Sequence, residues 1–311
     1  MCTAVNITEG KHLFGRTLDL EYSFGESCVV VPKNYRLKYG TDREICVKER
    51  IMGIAFMYES EPLFYDAANE AGLCTAALNF PRFAKYSEED TDGVPSHALI
   101  PTALAQCGSV SEAKKMLDGI KITSKARARS LAVTPLHWIF ADREGAIVVE
   151  AVEEGVKIYD NPTGVLTNSP PFPYHLTRLC DYMALGNAQP ENRIARDITL
   201  SHYCRGMGAI GLPGDYSSAS RFVRAVYAKS NTLAPCGSDS VARFFHIMDT
   251  VKSPFGCVLT EEGRPVKTVY TSCADTERGV YYFNTYENRN LRSVSFSDAD
   301  ALGGEIFARV L

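Results

Sequence analysis

No stretch of this chain stays apolar for the ~18 residues a membrane-spanning helix needs, and no run of Lys or Arg forms a basic block. The first absence argues against a spanning segment. The second, with a formal net charge of −4, argues against nucleic acid or an anionic membrane as the partner. The N-terminus, MCTAVNITEGKHLFG, lacks the basic region and apolar core of a secretory signal, so a cytoplasmic protein is expected. Cysteines stand at 2, 28, 46, 74, 107, 180, 204, 236, 257 and 273, with no C-x-x-C among them, which weakens zinc and thioredoxin-type readings. Most lie in apolar surroundings, where free cysteines act as small hydrophobes. Histidines form neither H-E-x-x-H nor an i, i+4 pair, so no metal site is expected. Neither a Pro/Gly/Ser linker nor a repeat divides the chain, and residues 1–311 read as one domain.

What is there is ordinary in bulk: 311 residues, 45% apolar and 23% charged, enough chain to bury roughly 75% of its unfolded surface. Extended character is expected at 12–20, 27–31 and 73–80, then a helix from Pro95 to 107. A capping box, Ser109-Val110-Ser111-Glu112, opens a second helix. Strands return at 136–141, 146–152 and 155–159, the first pair joined by an Asp142-Arg143-Glu144-Gly145 turn. Helices are expected at 174–185, 217–229 and 238–250, and strands again at 267–273, 279–288 and 291–296. Strands and helices in blocks favour α+β with antiparallel sheets.

Cys2 carries the sharpest chemistry. Its small size favours removal of Met1, which would leave a thiol and an α-amine on one residue. These titrate near ~8.5 and ~7.7–8.0, so the amine can act as the base for its own thiol. Further segments could supply the rest of a site. Gly15-Arg16-Thr17-Leu18-Asp19 has an Arg to favour a thiolate and an Asp to orient an ammonium. Strand alternation puts Arg16 and Asp19 on opposite faces, unless a bend at Gly15 brings both to one site. Leu78-Asn79-Phe80-Pro81 and Leu166-Thr167-Asn168-Ser169-Pro170 end in amides able to donate side-chain or backbone N–H groups to an oxyanion. Gly211-Leu212-Pro213-Gly214-Asp215 leads into a helix whose first turn holds Arg221, against the helix dipole. Each segment also has a structural reading: an exposed ion pair, two Asn turns, a helix-start Arg.

Together, Met1-Cys2-Thr3, GRTLD (15–19), ALNFP (77–81), VLTNSP (165–170) and GLPGD…ASRF (211–222) resemble the choloylglycine hydrolase family. This family holds bile salt hydrolases and penicillin V acylases, cysteine members of the N-terminal nucleophile hydrolases. The similarity continues through Leu136-His137-Trp138, Tyr270-Thr271-Ser272-Cys273 and Asn284-Thr285-Tyr286-Glu287-Asn288. The resemblance implies a four-layer αββα fold of two antiparallel sheets flanked by helices, assembled as a homo-oligomer (tetramer or dimer). It further implies that Cys2 is the nucleophile, that Arg16 and Asp19 flank thiol and amine, that Asn79 and Asn168 form the oxyanion hole, and that Arg221 completes the cluster. Asn at position 79, where penicillin V acylases tend to carry Tyr, favours the bile salt branch. Thr17 stands where Asn is usual. Ala77 stands where Gly is common, and its methyl would narrow the hole.

The implied reaction is hydrolysis of a glycine- or taurine-conjugated bile salt through a Cys2 thioester, needing no metal or organic cofactor. A small amphipathic anion is then the partner. Apolar walls are expected from loops carrying Tyr22, Phe24, Phe56, Tyr58, Phe64, Leu136 and Ile139, with Met207 on the leaving-group side; core packing is the competing role for each. Penicillin V or N-acyl-homoserine lactone acylase activity, and non-catalytic binding of amphipathic ligands, stand as alternatives.

Overall fold

The computed structural model describes residues 1–39, 44–88, 92–233 and 240–311. Cys236 and the first two residues of the helix expected at 238–250 lie outside the described residues. The first sheet runs in the order Val165–Leu166, Cys2–Ile7, Leu13–Leu20, Pro265–Asp275, Val280–Thr285, Arg292–Ser295, with Val258–Leu259 beside Pro265–Asp275. A second sheet runs Gly155–Asp160, Ala146–Val152, Leu136–Ala141, Cys74–Asn79, Glu61–Asn69, Ile51–Tyr58, Ser27–Val31, Phe307–Val310. Every ladder in both sheets is antiparallel.

Alternation of side chains along a strand explains the layering. In Leu136–Ala141, Ile139 and Ala141 enter the core shared with the first sheet, where Cys2, Leu18 and Val148 also lie. Trp138 and Phe140 point the other way, into a core with Leu99, Ala103 and Leu104 of the helix Leu99–Gln106 and Leu117 of Val110–Leu117. The helices Ser218–Asn231 and Ser240–Asp249 pack on the far face of the first sheet through Phe222 and Phe244. The result is the αββα order of layers. Burying each such Phe is worth roughly 1.5–3 kcal/mol, against ~0.2–0.5 kcal/mol for a surface helix pair, so docking holds these helices in place.

Local signals mostly mark the element ends. Ser109 accepts from the Glu112 N–H at 3.2 Å, as an N-cap should. The Glu112 carboxylate reaches back to Gly108 N–H at 2.7 Å and not to Ser109, so only half of the expected capping box forms. The stretches around Phe56, Tyr58 and Phe64 are not loops: they belong to the strands Ile51–Tyr58 and Glu61–Asn69. Gly15 is not a bend. A Cβ there would lie 1.9 Å from the Ser272 carbonyl oxygen, so glycine is required by the close approach of strands 13–20 and 265–275.

Candidate functional site

Cys2 opens the first strand and is 3% exposed. In the register of strands 2–7 and 13–20, Cys2 faces Leu18 and Ala4 faces Arg16. Paired residues share a face, so Arg16 and the Cys2 side chain both point between the sheets, whereas Thr3, Thr17 and Asp19 point toward the helices. Arg16 and Asp19 therefore reach Cys2 from two sides, and no bend is needed.

Between the sheets, the buried Arg16 guanidinium donates to its own strand at Thr17 O (3.1 Å), to Tyr65 O (3.2 Å) and to Ala77 O (2.5 Å). Its Nη2 is buried and has no acceptor. Burial works against this charge, but Cys2, Tyr270, Asp66 and Asp19 together hold the guanidinium above its ordinary range. On the helix side, the Asp19 carboxylate accepts from Thr268 Oγ1 (2.6 Å) and Thr17 Oγ1 (3.4 Å). The Asp19 main chain pairs with Met1, whose terminal nitrogen donates to Asp19 O at 2.7 Å.

Asn168 holds the other end of Cys2. Its Oδ1 accepts the Cys2 N–H at 2.7 Å and Arg221 Nη2 at 2.7 Å. Its Nδ2 donates to Asn79 O at 2.8 Å, which leaves one of the two amide hydrogens uncommitted. Asn79 is available for this because the ladder between strands 61–69 and 74–79 ends at the Asp66–Ala76 pair. Beyond it, the main-chain groups of residues 77 and 79 on that edge have lost their strand partner. Ala77 O turns to Arg16 and Asn79 O to Asn168. A residue's N–H and C=O leave an extended chain on the same edge, so the Asn79 N–H faces the site too. Ala77's methyl packs in the outer core with Trp138 and does not narrow this edge, contrary to expectation.

Arg221 sits in the first turn of Ser218–Asn231, fully buried. It donates to Cys2 O, to Thr3 Oγ1 (2.7 Å), to Asn168 Oδ1 (2.7 Å) and to Tyr216 O (3.1 Å). Burial lowers its pKa from the ordinary Arg range, with Asp19 and Cys2 opposing. The dipole conflict is met by Asp215, which accepts from Ser217 N–H (2.9 Å) and Ser220 Oγ (2.5 Å) at the helix start. Those bonds, to Ser217 first, lower its pKa to about 2.

The expected apolar walls divide. Tyr22 and Phe24 lie 53% and 49% exposed on the loop after strand 13–20, ring centroids 4.8 Å apart. Phe56 and Tyr58 are half-buried at a strand end, with the Arg127 guanidinium over the Tyr58 ring. Ile139 shares the inter-sheet core with Cys2. Phe64 and Leu136 do not, because both pack in the outer core on the side of helix 99–106. Met207 lines a surface cleft of about 340 Å³ with Ile194, Leu200 and His202, a cleft containing none of the polar site residues.

Support for Asn168 comes from residues the sequence reading passed over. His137 Nε2 faces Thr167 O at 2.8 Å, a pure acceptor, so that nitrogen carries the hydrogen. Its Nδ1 meets Glu150 Oε1 at 3.1 Å, and Phe80 stacks on the ring with centroids 4.3 Å apart. The next carbonyl, of Asn168, accepts from His175 Nε2 at 2.9 Å; burial lowers the His175 pKa to about 4, which keeps this ring neutral. A signal was available: Glu150 and Asp66 are acids inside otherwise apolar strands. Among the described residues no group of three or more His, Cys, Asp or Glu is placed to hold a metal.

Comparison with known proteins agrees with this geometry. Residues 2–304 match the linear amide C–N hydrolases of the choloylglycine hydrolase family. The chain is 43% identical over 300 residues to the bile salt hydrolase/transferase of Lactiplantibacillus plantarum, covering 96% of this chain and 93% of the relative. It is 37% identical to the bile salt hydrolase/transferase of Clostridium perfringens, covering 98% and 95%. The crystal structure of the C2A mutant of conjugated bile acid hydrolase from Clostridium perfringens superposes with a TM-score of 0.92 at 35% identity, over 100% of this chain and 97% of that one. Penicillin V acylase from Agrobacterium tumefaciens, at 21% identity and a TM-score of 0.75 over 99% and 90%, shares the fold. The chain belongs to the choloylglycine hydrolase family.

Proposed function

We propose that this protein hydrolyses the amide bond of glycine- or taurine-conjugated bile salts through a thioester on Cys2. The observation that carries the reading is the convergence on one residue. The Cys2 nitrogen is bound by Asn168 and its carbonyl by Arg221, and its side chain shares a face with Arg16, whose Nη2 has no acceptor. Names of the relatives and Asn at position 79 support bile salts over penicillin V.

In this reading Met1 has been removed and the α-amine takes the thiol proton. Sulfur bonds to the amide carbon as the C=O pair moves to oxygen. That oxyanion accepts from the Asn79 N–H and the free hydrogen of Asn168 Nδ2. Collapse breaks the C–N bond, the ammonium proton passes to the departing nitrogen, and glycine or taurine leaves. Water then attacks the thioester with the amine as base, releasing bile acid and regenerating the thiol. Asn168 and Arg221 hold the amine and strand end in register, and Arg16 favours the thiolate. An amine taking the place of water would transfer the acyl group, a reading the hydrolase/transferase names of two relatives favour.

Tyr22, Phe24, Phe56, Tyr58 and Ile139 remain the proposed apolar contacts. The protein is proposed to act in the cytoplasm, without nucleic acid or membrane, and as a homo-oligomer. The stretch from Met183 to Ile210 supports the last point: it exposes Met183, Ile194, Ile198, Leu200, Tyr203 and Ile210. No helix among the described residues is long and apolar enough to cross a membrane. The test is incubation of methionine-free protein with glycocholate, taurocholate and penicillin V. Free glycine or taurine is expected, with little phenoxyacetate; no amine from either bile salt overturns the reading.

A further inference from the structure

We infer that Asp66 is the buried counter-charge of Arg16 and, through it, limits how strongly the Cys2 thiolate is stabilised. This makes it a positioning residue of the site, and the inference rests on Cys2 being the nucleophile.

Asp66 lies fully buried in strand 61–69, on the face between the sheets. Tyr270 donates to its Oδ1; Tyr281 and Ser272 (2.7 Å) donate to its Oδ2. Burial raises its pKa above the ordinary carboxylate range, and Arg16 and then the three hydroxyls oppose that rise by favouring the anion. A buried carboxylate is costly without a counter-charge, and an aliphatic residue would fill this core more simply. The three side-chain donors it meets are all neutral hydroxyls.

The cation it faces is Arg16, joined to it by two short links. Ser272 Oγ, which donates to Asp66, accepts the Arg16 main-chain N–H at 3.2 Å. Tyr65, the residue before Asp66, gives its carbonyl to Arg16 Nη1 at 3.2 Å. Arg16 thus stands between two groups that compete for its charge, Cys2 and Asp66, with Tyr270 and Asp19 also in its field. Cys28, Cys74 and Tyr281 are further titratable groups around Asp66, and Tyr65 is another one facing Arg16. From the helix side, Cys2 meets Arg221, which Asp19 offsets. Cys2 is therefore flanked by two Arg/Asp pairs, one on each face of the first sheet, and removing Asp66 leaves the thiolate facing an uncompensated Arg16.

The test reads the thiol directly and needs no substrate. The rate of iodoacetamide alkylation of Cys2, followed by mass spectrometry of its peptide, is measured from pH 5 to 10. One elementary charge acting over ~10 Å through an effective dielectric of ~20 moves an ionisation by about one pH unit. Asp66→Asn should move the rate profile about that far toward acid, and Asp66→Glu should restore it. Tyr281→Phe removes one donor, pushes the carboxyl further up, and should move the profile the same way by less, which covers failure of Asp66→Asn to fold. An unmoved or more alkaline profile in the folded variants overturns the inference. Turnover assayed in parallel separates this outcome from failure of the hydrolase reading, since alkylation depends on neither bile salt nor product.

Discussion

Arg16 and Asp19 stand on opposite faces of one strand, so the first meets the Cys2 side chain between the sheets and the second meets the N-terminal end from the helix side. The site is therefore built through the first sheet, with thiol chemistry on one face and the anchoring of nitrogen and carbonyl on the other. Arg221, Thr3 and Asn168 belong to the anchoring side.

Asn168 is the hinge of that division, since its one amide group touches Cys2, Arg221 and Asn79. Asn168→Ala should lower kcat for glycocholate by ~10²–10³, the cost of one oxyanion donor. Asn168→Asp should not rescue it, because a carboxylate cannot donate to the oxyanion. Steady-state kinetics retaining kcat within threefold in either variant would contradict this role.

Arg221 satisfies four acceptors in a fixed fork that a lysine ammonium cannot match. Arg221→Lys should destabilise the fold by about 2–4 kcal/mol and lower activity. Urea unfolding checks the first claim; a loss below about 0.5 kcal/mol would mean the clamp is dispensable.

Two buried histidines set the acid limit. Burial first of all lowers the pKa of both His12 and His175 from 6.5 to about 4. Above pH 6.5 folded and unfolded chains hold these rings neutral. Below it only the unfolded chain takes up the protons, so stability falls with pH until about 4, where the folded rings protonate as well. Each ring accounts for a loss of order 3 kcal/mol over that window. Unfolding free energies at pH 7, 5.5 and 4.5 should decline, and His175→Gln should flatten the slope. A flat profile in the wild type would contradict the assignment.

Gly15→Ala should fail to fold or lose several kcal/mol, of the order seen for overpacked cores. Its methyl would collide with the Ser272 carbonyl oxygen, a backbone atom with no room to yield. Normal thermal stability in this variant would refute the close-approach account.

The strands and helices that carry the site were legible because their signals are local. Extended character marked 12–20, the turn at 142–145 bounded the strand 136–141, Ser109 marked a cap, and Ser217 to Lys229 read as a helix. What escaped depends on pairing across the chain. Phe64 could not be assigned to the outer core without the shift between Ile54 and Ala55 that sets its register against strand 51–58. Nor could the open edge at residues 77–79 be foreseen, since it exists only because the neighbouring ladder stops at Asp66. Asn168 was expected to serve the oxyanion alone; that its side-chain Oδ1 accepts the Cys2 N–H is a fact of tertiary geometry. Asp66 and Glu150 interrupt apolar strands, and that local irregularity was the one hint of the buried networks.

The central claim is that Cys2 carries the acyl group, and acid-quenched intact-mass analysis during glycocholate turnover tests it most directly. Methionine-free wild-type protein should gain one cholyl group, mapped to Cys2, while glycine accumulates. Cys2→Ala should show neither adduct nor glycine. Glycine release by Cys2→Ala at the wild-type rate would contradict the account.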